Sequence, residues 1–378
     1  CLSSASLAEG LAWGDFRERV HEAFGNGDSE ALISLAQERE EKPLEPAEWN
    51  AYWRTYLNYR AAYLAGEREA DKEKLEERIA KEKGYASALV FGSGYMANAG
   101  TIPVLAGRED LIFADKFVHA SMIDACKLSG AKLVRWAHND VQALEERLNQ
   151  HADSRGRKLI ITESVFSMDG DLAPLAKITA LAEKYEAMLM VDEAHSTGTF
   201  GPKGAGLIRE LELEDAVTVS MGTMSKAMAG YGGYVACSEN LRKLMVHTSR
   251  AFIYTTAPPP AVIGAALGAL DVLEASPRLG YILQANADFF RSLLHEAGLD
   301  TMNSQSPIIT ILIGDNQKAM VISQKLREEN IICAAIRPPT VPPGTARLRI
   351  SITLAHLVDD LERAAKIIIK NLKPTMGI

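Results

Sequence analysis

An α/β fold is predicted by two observations. From about residue 69 onward, short apolar runs of buried-strand length alternate with helical patterns, and the tail from about residue 280 repeats that alternation on a smaller scale. Strands separated by helices imply parallel pairing and a sheet covered on both faces. The composition agrees: 47% of the 378 residues are apolar and 24% are charged, enough to bury a large core and to exclude whole-chain disorder. That length predicts two or three domains, or one large α/β unit with an appendage.

The elements follow in order. Residues 1–65 stand apart, with three of the four tryptophans (Trp13, Trp49, Trp53), a charged run from Glu38 to Lys42 and breaks at Pro43 and Pro46. No strand-like run is found there, so a divergent helical N-terminal segment is expected. A large domain is expected over residues 66–258. Residues 71–83 read as a charged helix with Leu75 and Ile79 on one face, closed by Gly84. Residues 88–91 give the first buried strand, and strand-like runs recur at 111–113, 133–134, 159–161, 188–191, 217–219 and 234–236. Helical patterns lie between most of them, at 141–148 and 175–185 for example. Pro258-Pro259-Pro260 then breaks the chain before an apolar helix at 261–273. Residues 259–378 are expected to form this linking helix and a small C-terminal domain. Its helices are read at 286–296, 317–329 and 358–369, and its strands at 308–313, 331–335 and 347–352.

Several function classes are excluded early. Acidic residues outnumber basic ones by 49 to 41, so no basic footprint for nucleic acid exists in bulk. The cysteines (Cys1, Cys126, Cys237, Cys333) are far apart and form no C-x-x-C pair. This argues against a zinc site or a disulfide scaffold and fits a reducing, cytoplasmic setting. The most apolar stretch, residues 261–270, is well short of the ~20 residues a membrane span needs. The N-terminus has no basic region followed by an apolar run, so no signal peptide is read; Cys1 in place of methionine reads as a trimmed or tagged chain.

Three segments carry the chemistry: Glu163-Ser164-Val165-Phe166-Ser167-Met168-Asp169-Gly170, Val191-Asp192-Glu193-Ala194-His195 and Gly222-Thr223-Met224-Ser225-Lys226. Asp192 ends the most apolar strand-like run, and open α/β sheets bind ligands at that end. An acid there can pair with a protonated ring nitrogen, or simply cap the next turn. Lys226 follows a strand and a turn. A lysine there can form a Schiff base with an aldehyde cofactor if its amine is partly desolvated, although a solvated surface lysine is the commoner fate. Thr223 and Ser225 offer hydroxyls for a phosphate, and Gly230, Gly232 and Gly233 permit close backbone approach. Ser93-Gly94-Tyr95-Met96-Ala97-Asn98 follows a strand and opens a helix whose N–H groups suit a phosphate. It lacks the G-K-[ST] of a Walker loop. His119 could stack on an aromatic cofactor ring, or be a hydrogen-bonded structural residue. Arg347 and Arg349, two apart on a strand, should share one face. Arginine suits a carboxylate clamp, while two surface arginines are the plainer alternative.

In this order, these segments resemble the α-oxoamine synthases. The resemblance runs from Leu75 to the C-terminus, about 300 of the 378 residues. It implies an aspartate-aminotransferase-like fold (fold type I of pyridoxal 5′-phosphate, PLP, enzymes), with a mainly parallel sheet in the large domain and a smaller C-terminal α/β domain. It further implies that Lys226 holds PLP covalently and that Asp192 pairs with the ring nitrogen. His195 would bond the ring 3′-oxygen with Ser167 nearby, and His119 would stack on the ring. Thr223, Ser225 and the backbone at Gly94 and Tyr95 would hold the phosphate. Thr255 and Thr256 would reach it from the partner subunit of a homodimer with shared active sites. Arg347 would bind the amino-acid carboxylate, with Arg349 the lesser candidate. Lys226, His119 and His195 would be catalytic. The implied reaction condenses an amino acid with an acyl thioester, on coenzyme A or a carrier protein, with loss of CO₂ to give an α-amino ketone.

The N-terminal part departs from the family: the usual strand and Gly/Ser-rich stretch are replaced by Leu57 to Gly66. Ser167-Met168-Asp169-Gly170 and the Arg347 strand resemble the 8-amino-7-oxononanoate synthase branch. Asp192 to Ser196 and Gly201 to Leu207 resemble the serine palmitoyltransferase and α-hydroxyketone autoinducer synthase branches. The sequence therefore suggests a specialised enzyme for a medium or long acyl chain. The biotin-pathway enzyme, using alanine and a pimeloyl thioester, is the alternative, followed by an aminotransferase or a non-catalytic scaffold subunit.

Overall fold

The computed structural model describes residues 68–376 and part of the segment from 16 to 38. The N-terminal departure at 57–66 therefore lies outside the described residues. Helix α1 (Arg68–Lys83) leads into β1 (Ser87–Phe91), and a repeating strand–helix pattern follows. It runs through α2 (Gly94–Leu105), β2 (Leu111–Asp115), α3 (Ala120–Ser129), β3 (Lys132–Trp136), α4 (Val141–Gln150), β4 (Lys158–Glu163), α5 (Leu175–Lys184) and β5 (Met188–Asp192). Short α6 (Leu207–Glu210), β6 (Val219–Thr223) and β7 (Gly233–Cys237) complete the strand set.

These seven strands form one sheet in the order β1-β7-β6-β5-β4-β2-β3. Pairing is parallel from β3 across to β6. Only β7 is reversed, antiparallel to both β6 and β1. The period-2 pattern explains why both faces are covered. Ile112, Ala114, Leu159 and Ile161 pack with Ala97, Ile102, Met122 and Ala125 of α2 and α3. Leu111, Phe113 and Ile160 point the other way, onto Leu144, Leu148, Leu175 and Ile178 of α4 and α5.

Helices α7 (Glu239–Thr248) and α8 (Arg250–Ile253) lead to α9 (Pro260–Ala275), which opens at the triple proline. α9 packs against α1: Ile263, Ala266 and Leu270 join Leu75 and Ile79, and Arg78 pairs with Asp271 at 2.6 Å. α10 (Leu279–Glu296), β8 (Ile308–Gly314), α11 (Asn316–Glu328), β9 (Ala334–Ile336), β10 (Ala346–Ser351) and α12 (Val358–Met376) follow. The second sheet, β8-β10-β9, is antiparallel and has its own core of Phe290, Leu294, Ile309, Ile311, Leu348 and Ile368.

Two strands start later than the sequence predicts. β6 begins at Val219 rather than 217, and β9 spans 334–336 rather than 331–335. Ile331 instead closes α11, its N–H donating to Leu326 O at 2.8 Å, and Ile332 is exposed. Among the described residues no helix is long and apolar enough to cross a membrane.

Candidate active site

The parallel strands β4, β5 and β6 end side by side at Glu163, Asp192 and Thr223. Beyond them opens a cavity of about 260 Å³, lined by residues that include Gly94, Tyr95, His119, Asp192, His195, Thr223, Ser225 and Lys226. The structure thus brings together most of the residues singled out from sequence.

Asp192 is buried, and its two oxygens are separately held. Oδ1 accepts the Ala194 N–H at 2.9 Å, which caps the turn, and Oδ2 accepts from Asn98 Nδ2 at 3.1 Å. Glu163 pairs with Asp192 in the β4–β5 register and is 3% exposed. Burial, and then the adjacent Asp192 carboxylate, push its carboxyl well above the ordinary value. Its Oε1 is buried without a partner.

Lys226 sits on a loop closed at its base. Met224 N donates to Gly232 O at 3.0 Å and Gly230 N to Met224 O at 2.8 Å, while the Met224 side chain is fully buried. Lys226 Nζ lies 2.8 Å from His195 Nε2. Desolvation lowers the amine's pKa despite the opposing fields of Asp192 and Glu163. The same burial, with the charges of Lys226 and Arg349, pushes His195 down to about 3. His195 is therefore neutral beside the amine. The loop from Glu193 that carries it rests on a buried ion pair: Glu193 accepts from Lys83 Nζ, Ser220 Oγ, Ser196 Oγ and Ile208 N, each at 3.0 Å.

The opposite rim is the N-terminus of α2. Ser93 caps it, accepting the Met96 N–H at 3.2 Å, and the first helical N–H groups, at Gly94 and Tyr95, have no intrahelical partner. Thr223 Oγ1 lies 2.8 Å from Ser225 Oγ and donates to Gly232 O at 2.8 Å. A Cβ at Gly233 would fall 2.6 Å from Ser93 O, so this rim closes only over glycine.

Other residues are placed differently. Arg347 is 2% exposed and ion-paired with Asp169, with Nε donating to Thr345 O at 3.0 Å. Its guanidinium is committed inside the protein, which argues against the substrate-clamp role. Arg349, on the same face, is the one that borders a larger cavity of about 740 Å³ shared with Lys226 and His195. Ser167 lines a third cavity of about 420 Å³, together with His119, rather than the Lys226 cavity itself. Thr255 and Thr256 are exposed and do not line the cavity of their own chain. Glu163, Asn98 and Ser121 are cavity residues to which the sequence reading gave no role, although Glu163 and Asn98 stand inside motifs it quoted.

Comparison with known proteins agrees with this geometry. The family model "Aminotransferase class I and II" matches residues 53–368. An 8-amino-7-oxononanoate synthase of Geobacter sulfurreducens is 48% identical over 292 residues, 77% of this chain and 74% of the relative. A solved 8-amino-7-oxononanoate synthase from Francisella tularensis superposes with a TM-score of 0.74 at 31% identity, covering 90% of this chain and 96% of its own. A variant of serine palmitoyltransferase from S. paucimobilis, solved with a bound PLP–myriocin aldimine, gives a TM-score of 0.80 at 30% identity, covering 86% and 84%. The chain belongs to the aminotransferase class I and II family, and within it is a PLP-dependent α-oxoamine synthase.

Proposed function

We propose that this enzyme condenses L-alanine with a pimeloyl thioester, the 8-amino-7-oxononanoate synthase reaction. One observation carries the reaction class: a desolvated lysine amine, a neutral histidine and a strand-end carboxylate line one cavity. The curated relatives at 43–48% identity carry the substrate assignment, and they favour it over a specialised long acyl chain.

The donor set fits PLP. A carboxylate for a ring nitrogen, an amine for an aldehyde, and a helix N-terminus with two hydroxyls for a phosphate lie around one rim. Lys226 would hold the aldehyde carbon and Asp192 the ring nitrogen. His195 would serve the 3′-oxygen and His119 the ring face. Gly94, Tyr95, Thr223 and Ser225 would hold the phosphate. When bound, the cofactor supplies an electron sink for charge developing at the amino-acid Cα.

The chain's own residues do the rest. Arg349 binds the amino-acid carboxylate through its planar fork. Lys226, whose amine desolvation makes less basic than an exposed lysine, takes the Cα proton and returns one at the end. His119 donates to the thioester carbonyl oxygen as that oxygen gains charge. Overall, Cα bonds to the acyl carbon, the thiol leaves, CO₂ departs, and a proton replaces it. A homodimer places Thr255 and Thr256 of one subunit at the phosphate of the other.

Thiol release with matched pairs tests the assignment. Alanine plus pimeloyl-CoA should turn over at least tenfold faster than serine plus palmitoyl-CoA. The reverse ranking would return the enzyme to the long-chain branch. Transamination without thiol release would contradict the reaction class.

A further inference from the structure

The inference below rests on reading the Lys226 cavity as the PLP site. Four side chains form a continuous hydrogen-bond chain along its wall. Asp192 Oδ2 accepts from Asn98 Nδ2 at 3.1 Å, the same Nδ2 donates to Ser121 Oγ at 2.9 Å, and Ser121 Oγ lies 2.7 Å from His119 Nδ1. Asn98 and Ser121 are each 1% exposed, so no bulk water competes for these bonds.

The proton positions follow from one charge. An ionised carboxylate only accepts, so the Asn98 amide must turn its nitrogen, not its oxygen, towards Asp192. That nitrogen also faces Ser121 Oγ, which therefore accepts there. The hydroxyl proton is left for His119 Nδ1. The Ser121 backbone N–H points at the same Nδ1, at 3.2 Å. With two donors aimed at Nδ1, the neutral ring carries its proton on Nε2. Among the described residues Nε2 has no hydrogen-bond partner, while the ring borders both the Lys226 cavity and the neighbouring cavity lined by Phe117, Phe166 and Val341.

We propose that Asn98 and Ser121 are positioning residues: they convert the negative charge of Asp192 into a fixed Nε2–H tautomer of His119, which presents that N–H to the thioester carbonyl. Ordinary alternatives for these two residues, a helix-packing amide and a helix-start serine, require no fixed tautomer.

The test is ¹⁵N-histidine NMR on the holoenzyme, with the His119 signal assigned by its loss in His119→Asn. The wild type should show a bare Nδ1 and a protonated Nε2. Ser121→Ala and Asn98→Leu should show both tautomers, and Ser121→Thr, which keeps the hydroxyl, should match the wild type. In thiol-release assays Ser121→Ala should lower kcat roughly tenfold with the amino-acid KM unchanged, and Ser121→Thr should restore it. A wild-type His119 protonated on Nδ1, or an unchanged tautomer in folded Ser121→Ala, overturns the proposal. The cofactor's visible band is recorded on the same samples: its absence refutes the PLP reading, whereas the tautomer is read from the protein alone.

Discussion

Arg349 Nε donates to the backbone carbonyl of Ser167 at 2.7 Å, joining the second sheet to the loop that follows β4. Burial lowers the pKa of this guanidinium from its ordinary value. Two residues earlier on the same face, Arg347 is held by Asp169. Neighbouring arginines on one strand thus have separate tasks, one at the cavity and one inside the fold.

Arg349→Gln should raise the amino-acid KM about 10- to 100-fold, the loss of one charge-assisted carboxylate clamp. Arg347→Met should leave that KM near wild type and cost about 3 kcal/mol in urea unfolding, because Asp169 is stranded in the interior. A KM defect in Arg347→Met with normal stability would reverse the two assignments.

The Lys83–Glu193 pair is buried to 2% and 0% side-chain exposure. Either Glu193→Gln or Lys83→Met should destabilise by about 3–5 kcal/mol, since each leaves a partner without compensation. The double variant should recover part of that loss. Single variants as stable as the wild type in a denaturant titration would contradict this.

His138 bridges Asp115 at 2.9 Å and Asp171 at 2.8 Å. Desolvation alone would lower its pKa, but the two carboxylates outweigh it and hold the ring at about 9, above the ordinary 6.5. A raised folded-state value stabilises fully below about pH 6.5, and that contribution is lost as pH rises through about 9. Stability should fall by about 2 kcal/mol across this window, discounted because the ring is partly exposed. His138→Gln should flatten the slope; an unchanged slope would show that another group carries it.

Much of this arrangement was legible in the sequence, because apolar periodicity fixes which strand faces are buried and a strand end fixes where Asp192 stands. Residues 331–335 misled because their apolar run serves the end of α11 instead, leaving Ile332 81% exposed. α10 begins at Leu279, earlier than its pattern suggested, with Gly280 in its first turn packed closely on the Thr199 backbone. Choosing between Arg347 and Arg349 was beyond periodicity, since both lie on one face. The choice depends on Asp169, which reaches Arg347 from a distant turn. Asn98 and Ser121 stood 23 positions apart, and only folding brings that amide to that hydroxyl.

The proposed function stands on the amine of Lys226 holding the cofactor. Borohydride reduction of the holoenzyme followed by peptide mass mapping tests it most directly. A pyridoxyl phosphate adduct is expected on the peptide containing Lys226, lost in Lys226→Ala. An adduct on another lysine, or none on a protein that retains its visible band, would contradict it.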